Sequence, residues 1–391
     1  MKITRRFLAC LLLFVPPLIS FSSSHPSEAN HASKYLVFIG TYTSKTDSKG
    51  IYSFQFDSST SRLTSMAVAA TTQDPSFLTV SSNEKYLYAV NELSEFNGEK
   101  SGAVTSYSLD PKSGKLIQLN QVPSGGPDPC YLSFDQTGKY LLVANYTGGS
   151  VATFPVTPDG RIGPASAFVQ HTGSGHNKER QEGPHAHFIA NSADNRFVFV
   201  VDLGLDEVAV YHFDPANGSL TPGHPPFAKL APGAGPRHLA FHPNGKFAYV
   251  LSEVNSTVTA FAYDSKNGSF STLQTLSTIP KDFTAHNDTA EIVVHPSGKF
   301  LYASNRGRDS VAEFTIDPAK GTLTLAGDFP TQGKTPRNFA LDPTGKFLLA
   351  ANQESNNIVI FRIDQSTGAL SATGQVAQVP APVDIVFVPA K

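Results

Sequence analysis

The sequence of 391 residues carries 30 Lys and Arg against 32 Asp and Glu, and a formal net charge of −2 argues against nucleic acid or an anionic membrane as a partner. Hydrophobic residues make up 40% of the chain and charged ones 16%, enough apolar mass for a sizeable core. With 28 Phe and 13 Tyr but 2 Met and no Trp, the composition favours sheet over helix.

The first 29 residues read as an export signal. Lys2, Arg5 and Arg6 give a positive start, residues 7–19 form an apolar run broken by Pro16-Pro17, and Ser27-Glu28-Ala29 supplies a small-x-small cleavage site. The run is shorter than the roughly 20 residues of a membrane span, so the alternative is an uncleaved anchor in the membrane interface. Arg5-Arg6-Phe7 lacks the residue that a twin-arginine signal places between the pair and the Phe. Cleavage after Ala29 leaves one domain over 30–391, periplasmic or secreted, whereas an unprocessed chain would be cytoplasmic. Cys10 departs with the signal, so Cys130 stands alone, no internal disulfide can form, and Cys130 reads as a small core residue at a strand start. The sequence has no CxxC, no CxxCH and no His/Cys cluster, so no metal or other cofactor is expected.

Beyond residue 30 one phrase recurs: a turn, a basic residue, an aromatic, then a short apolar strand. It stands at Ser33-Lys34-Tyr35, Glu84-Lys85-Tyr86, Gly138-Lys139-Tyr140, Asn195-Arg196-Phe197, Gly245-Lys246-Phe247, Gly298-Lys299-Phe300 and Gly345-Lys346-Phe347. The basic residues are spaced by 51, 54, 57, 50, 53 and 47 positions, and each unit divides into four short strands. In one unit these fall at 237–242, 247–252, 257–263 and 270–275, with turns at Pro243-Asn244-Gly245 and Lys266-Asn267-Gly268. Four-stranded units repeated seven times predict an all-β, seven-bladed β-propeller. The chain enters at 35–40, which matches the second strand of the repeat, and 382–388 matches the missing first strand. The C-terminal strand is therefore predicted to pair into the N-terminal blade and close the ring, with a monomer expected.

In such a blade the first strand starts, and the second ends, at the same mouth of the channel. The first-strand starts are Ser76, Cys130, His187, Arg237, Ala290, Arg337 and Val383, followed by Phe77, Tyr131, Phe188, His238, Glu291, Asn338 and Asp384. The second-strand ends are Thr41, Asn91-Glu92, Asn145-Tyr146, Asp202, Ser252-Glu253, Asn305-Arg306 and Asn352-Gln353. Asn91, Asn145 and Asn352 read as turn caps, and His242 and His295 as structural residues of the opposite rim. Two polar loops enter the mouth, 171–183 with His176, Lys178 and Arg180, and 281–289 with His286 and Asn287. Arg237, Arg306 and Arg337 suit an anionic substrate, and His187 or Glu253 is placed to move a proton. Neither a G-x-S-x-G elbow nor a P-loop is present.

At these residues a resemblance emerges. Gln181-Glu182-Gly183-Pro184-His185-Ala186-His187, Gly235-Pro236-Arg237-His238 with Ser252-Glu253, and Ala290-Glu291 with Ser304-Asn305-Arg306-Gly307 resemble the lactonase family of seven-bladed propellers, which includes bacterial 6-phosphogluconolactonases and a fungal carboxy-muconate lactonising enzyme. The resemblance runs from about Tyr35 to Val388 and implies hydrolysis, or in one branch formation, of a lactone bearing an anionic group. Matched motif to motif, the lactonising branch's His, Arg, Glu and Arg fall on His187, Arg237, Glu253 and Arg306, with His185 competing for the His. His185, His238, Glu291, Asn305, Arg337 and Arg180 complete the expected substrate-binding set. The long polar loop and the Asn-Arg-Gly motif resemble the phosphogluconolactonase side, so the implied partner is a small sugar-derived or anionic lactone. Two alternatives stay open: muconate-type lactonisation, and a periplasmic scaffold propeller without catalysis.

Overall fold

The computed structural model describes residues 34–390, so the segment expected to be a signal peptide, with Cys10, lies outside the described residues. Twenty-eight strands form seven four-stranded antiparallel sheets, and no helix occurs among the described residues. Numbered along the chain, blade one holds 34–71, and blades two to seven hold 78–123, 129–170, 186–229, 236–277, 288–330 and 336–378. Blade five, read from its inner strand outward, is Pro236–Phe241, Phe247–Ser252, Thr257–Asp264 and Ser269–Ser277, close to the predicted strands. The inner strand of blade one is Pro382–Pro389, which pairs with Lys34–Thr41 from Tyr35 opposite Pro389 to Thr41 opposite Pro382. The predicted seven-bladed ring and its closure from both termini are both present.

The apolar residues are not gathered in one central core. They divide into seven clusters, each built from two neighbouring blades. A middle strand therefore has both faces covered, which is why Tyr140–Asn145, Phe197–Asp202 and Phe247–Ser252 are buried throughout and read as unbroken apolar runs. Outer strands such as Leu370–Gln378 are mostly exposed beyond their first residue.

The recurring basic–aromatic phrase has its physical reason at the blade interfaces. Tyr86, Tyr140, Phe197, Phe247 and Phe300 each lie against a turn glycine of the next blade, namely Gly160, Gly218, Gly268, Gly321 and Gly368. Tyr249 and Tyr302 add hydroxyl bonds of 3.2 and 2.6 Å to the carbonyls of Gly321 and Gly368. At the same rim His242 and His295 hydrogen-bond through Nε2 to the carbonyls of Gly298 and Gly345, so these histidines join blades, as the sequence suggests.

Gly321 shows how tight this contact is. Its φ of 70° is left-handed, and a Cβ there would lie 2.3 Å from Phe247 Cδ1. Gly321→Ala is expected to cost about 1–3 kcal/mol through backbone strain and overpacking. The check is a lower urea midpoint with unchanged slope.

Candidate active site

One irregularity shapes the channel mouth. In blades three, four, five and seven the ladder skips one residue at the start of the inner strand, and the skipped residues are Cys130, His187, Arg237 and Arg337. Blade one skips Val383 in the same way, and the register of blade six breaks between Thr289 and Ile292. A bulge frees a residue from the alternation of its strand and re-aims its side chain. Here it turns Cys130, His187, Arg237 and Arg337 toward the channel.

The second-strand ends divide their labour by position. The Asn at the strand end is structural: Asn91, Asn145, Asn305 and Asn352 donate through Nδ2 to the carbonyls of Gln73, Ser124, Thr278 and Thr331. Each of those carbonyls lies just past the outer strand of the preceding blade, so the Asn holds the chain where it crosses over. The next residue faces the mouth, which places Glu92, Tyr146, Glu253 and Arg306 around it, with Tyr42 donating to Glu92 from behind.

The result is a well in two parts. An upper chamber of about 320 Å³ is lined by Glu92, Cys130, Tyr146, Arg180, His187, Glu253, Asp288, Arg306 and Arg337. A lower chamber of about 10 Å³ adds residues such as Ser76, Arg237, His238, Glu291 and Asn338. Phe77, Tyr131 and Phe188 pack their rings around His238, with centroids 6.2, 5.2 and 5.8 Å away, beneath the mouth. A larger cavity of about 780 Å³, lined by residues including Lys45, Gln353 and Pro380, contains no convergent set of catalytic side chains.

The centre of the well is Glu253. Its Oε1 accepts from Arg180 Nη2 at 2.5 Å, and its Oε2 lies 2.8 Å from Arg306 Nη2. Arg237 Nε is 3.0 Å from Oε2, an ion pair without the alignment of a hydrogen bond. Burial alone would raise this carboxyl, but Arg306, Arg237 and Arg180 override burial and hold it down at about 2. Arg237 is lowered to about 10 by burial and by Arg306 and Arg337, and it donates to the Ala290 carbonyl. Arg306 donates to the Thr289 carbonyl at 2.7 Å. His238 Nδ1 meets Glu291 Oε1 at 3.0 Å, and Asn338 Nδ2 donates to Glu291 Oε2 at 2.9 Å. His187 Nδ1 lies 3.7 Å from Cys130 Sγ. Burial, then Arg237, His238 and Arg337, push the His187 imidazolium well below its ordinary value, so the ring is neutral.

Arg337 differs from the other three arginines. It lies over the Tyr42 ring at 5.2 Å, and against the cost of burial it is held charged by Tyr42, Glu92 and Glu253, with no direct ion pair among the described residues. No group of three or more His, Cys, Asp and Glu side chains among the described residues is arranged to hold a metal ion.

The sequence matches the model of a family described as Lactonase, 7-bladed beta-propeller, over residues 36–387. The chain belongs to the lactonase family. It is 39% identical over 309 residues to a 6-phosphogluconolactonase of Bacillus subtilis, covering 79% of this chain and 85% of that protein. A Formosa agariphila 6-phosphogluconolactonase is 38% identical over 309 residues, covering 78% of this chain and 86% of that one. Among solved structures, a periplasmic gluconolactonase of Pseudomonas aeruginosa superposes with a TM-score of 0.86 at 36% identity, covering 92% of this chain and all of that one.

Within this lactonase, His187, Arg237, Glu253, Arg306, Arg337, Arg180, His238 and Glu291 converge on the well. Two expected site residues do not. His185 is stacked on Tyr146 behind the chamber, with its nitrogens 3.1 Å from the Tyr146 carbonyl and 3.2 Å from Glu182 Oε1. Asn305 spends its amide on Thr278, Asn287 and Ser310, because it faces the crossover and not the mouth. Glu253 is also unsuited to the expected role of base, since a carboxyl near 2 holds a proton too weakly at neutral pH. Cys130, expected in the core, lines both chambers because its strand is bulged. Glu92 and Tyr146, which the repeat already brings to the mouth, and Asp288 of the polar loop 281–289 also line the upper chamber, although the sequence reading assigns none of the three a role. Glu92 was visible in principle, as the residue of blade two equivalent in the repeat to Glu253 of blade five.

Glu253 makes a testable contribution to stability. Its folded value of about 2 lies below the ordinary 4.5, so the stabilisation is present above 4.5 and is lost as pH falls toward about 2. At pH near 7, Glu253→Gln is expected to cost about 3–5 kcal/mol by leaving the arginines uncompensated. Urea unfolding at several pH values should show the gap from the unmodified protein narrowing through that acid window; a constant gap would contradict the ion-pair account.

Proposed function

We propose that this lactonase hydrolyses a sugar-derived or anionic lactone in the upper chamber, by attack of water on the lactone carbonyl and without a tightly bound cofactor. The carrying observation is Arg337. Arg180, Arg237 and Arg306 are committed to Glu253, whereas Arg337 has no direct carboxylate partner among the described residues and faces a chamber the size of a small metabolite. A guanidinium in that state presents paired donors to a carboxylate, a phosphate or a developing oxyanion. Withdrawing one such donor from an oxyanion costs about 3–4 kcal/mol in the transition state.

In this reading Glu253 is the clamp that allows three guanidinium groups to crowd one well, and neutral His187 offers a hydrogen-bonding group beside the substrate. The relatives named 6-phosphogluconolactonase and gluconolactonase support a sugar lactone. Turnover of 6-phosphogluconolactone and of uncharged gluconolactone, corrected for spontaneous opening, is the direct test, and acceleration of neither would end this reading. Arg337→Ala is expected to raise KM for the phosphorylated lactone roughly tenfold or more, a loss of about 1.4 kcal/mol, and to change KM for the neutral one less. A loss in kcat common to both lactones would instead assign Arg337 to the oxyanion.

Export is part of the same proposal, supported by the Lys2 to Ala29 pattern and by the neighbour described as periplasmic. Mass spectrometry of the native protein should find a mature N-terminus at Asn30; an intact Met1 in a cytoplasmic fraction would refute it.

A further inference from the structure

The two chambers of the well meet at four side chains, those of Glu92, Cys130, His187 and Arg337, which line both. The lower chamber, at about 10 Å³, has room for about one water molecule. The upper one has room for a lactone. A water in the lower chamber would therefore reach a carbonyl in the upper one past these four groups, which are the candidates to take its proton, since His238 and Glu291 of the lower chamber are already paired with each other and Glu291 also with Asn338.

Three of the four are poorly suited. Arg337 is a cation. The Cys130 thiol is raised well above its ordinary value by burial and then by Glu92, so it stays protonated and holds its proton. His187 is neutral, but the cations around it make a protonated ring unfavourable. Glu92 is a carboxylate with one oxygen fixed by the Tyr42 hydroxyl at 2.8 Å. Its surroundings favour proton uptake: burial raises the carboxyl, and Asp128 adds to this, outweighing the opposing effects of Arg337, Ser76 and Tyr42. The other strand-end carboxylate of the chamber, Glu253, has both oxygens engaged by arginines.

We propose that Glu92 is the general base of this lactonase, taking a proton from a water seated in the lower chamber, with the Tyr42 hydroxyl positioning its carboxylate. The inference rests on the hydrolytic reading above. As the water O–H bond breaks toward Glu92, the water oxygen bonds the carbonyl carbon and the C=O π pair moves onto the oxygen, which faces Arg337. Collapse re-forms the carbonyl and breaks the ring C–O bond. The Glu92 carboxyl group then returns its proton to the departing ring oxygen, and the product acid ionises into solvent. Water is consumed, Glu92 is regenerated, the product leaves as a hydroxy carboxylate, and one proton is released to solvent.

The test is steady-state kinetics of Glu92→Gln, Glu92→Asp and Tyr42→Phe on both lactones across pH. Glu92→Gln keeps an acceptor for Tyr42 and is expected to lower kcat by about 10²–10⁴-fold, with KM changed less than about threefold. Its melting temperature, measured alongside, should match that of the unmodified protein. The acid limb of kcat/KM, set above the ordinary carboxyl range in the unmodified protein, should disappear in Glu92→Gln and persist with reduced kcat in Glu92→Asp. Tyr42→Phe removes a hydrogen bond that favours the carboxylate, so it should move the acid limb to higher pH, a change a purely structural role would not produce. If the unmodified protein turns over a lactone while Glu92→Gln keeps kcat within about threefold, Glu92 is not the base. If the unmodified protein accelerates neither lactone, the hydrolytic reading falls and this inference falls with it.

Discussion

Closure of the ring is the constraint from which the remainder follows. A four-stranded sheet buries its faces only against neighbours, and here each of the seven apolar clusters is shared by two blades. An open row of such sheets would leave two faces and two edges exposed. Pairing Pro382–Pro389 with Lys34–Thr41 removes that defect by building blade one from both ends of the described chain. Asp384 extends the seam by accepting the Leu78 amide of blade two at 2.7 Å. Once the ring is closed, all the inner strands start at one mouth, and their first residues have no choice but to meet.

The bulges convert that convergence into a site. Without them the inner-strand ladder would continue its regular alternation through Cys130, His187, Arg237 and Arg337, and these side chains would take the direction the pleat dictates. Skipping one residue releases each from the ladder at the cost of one pairing position. The neighbouring second strands contribute in a complementary way. Asn91, Asn145 and Asn305 secure the crossovers between blades, so the residues that follow them, Glu92, Tyr146 and Arg306, are carried by anchored backbone.

Crowding cations into a buried well has an electrostatic consequence that runs through every group in it. Glu253 answers Arg180, Arg237 and Arg306 together and is held ionised by them. Burial, reinforced by Arg237 and Arg337, suppresses protonation of His187, and burial with Arg306 and Arg337 lowers Arg237 itself. Glu92, three blades away in the repeat, makes no direct ion pair with them and shifts the opposite way. Two carboxylates at one repeat position are thus driven to opposite proton affinities by their surroundings, the separation of roles that acid–base chemistry at neutral pH requires.

Much of this was legible in the residues themselves. Seven copies of the basic–aromatic phrase, with Asn-Gly and Pro-x-Gly turns between short apolar runs, specify the blades because turn chemistry and strand length are local properties. The unmatched second strand at Tyr35 and the unmatched first strand at Pro382 specify the closure by simple complementarity. The clustering of Arg237, Glu253 and Arg306 was legible too, because the repeat register brings strand starts and strand ends to one rim. Which of two adjacent residues faces the channel was not. Whether Asn305 or Arg306, His185 or His187, and Cys130 or its neighbours look into the well depends on a one-residue bulge or a crossover hydrogen bond, and neither leaves a mark on composition or period. Nor could the sequence assign proton affinities. Glu92 and Glu253 occupy equivalent positions in the repeat, and only the number of guanidinium groups packed against each in three dimensions separates them.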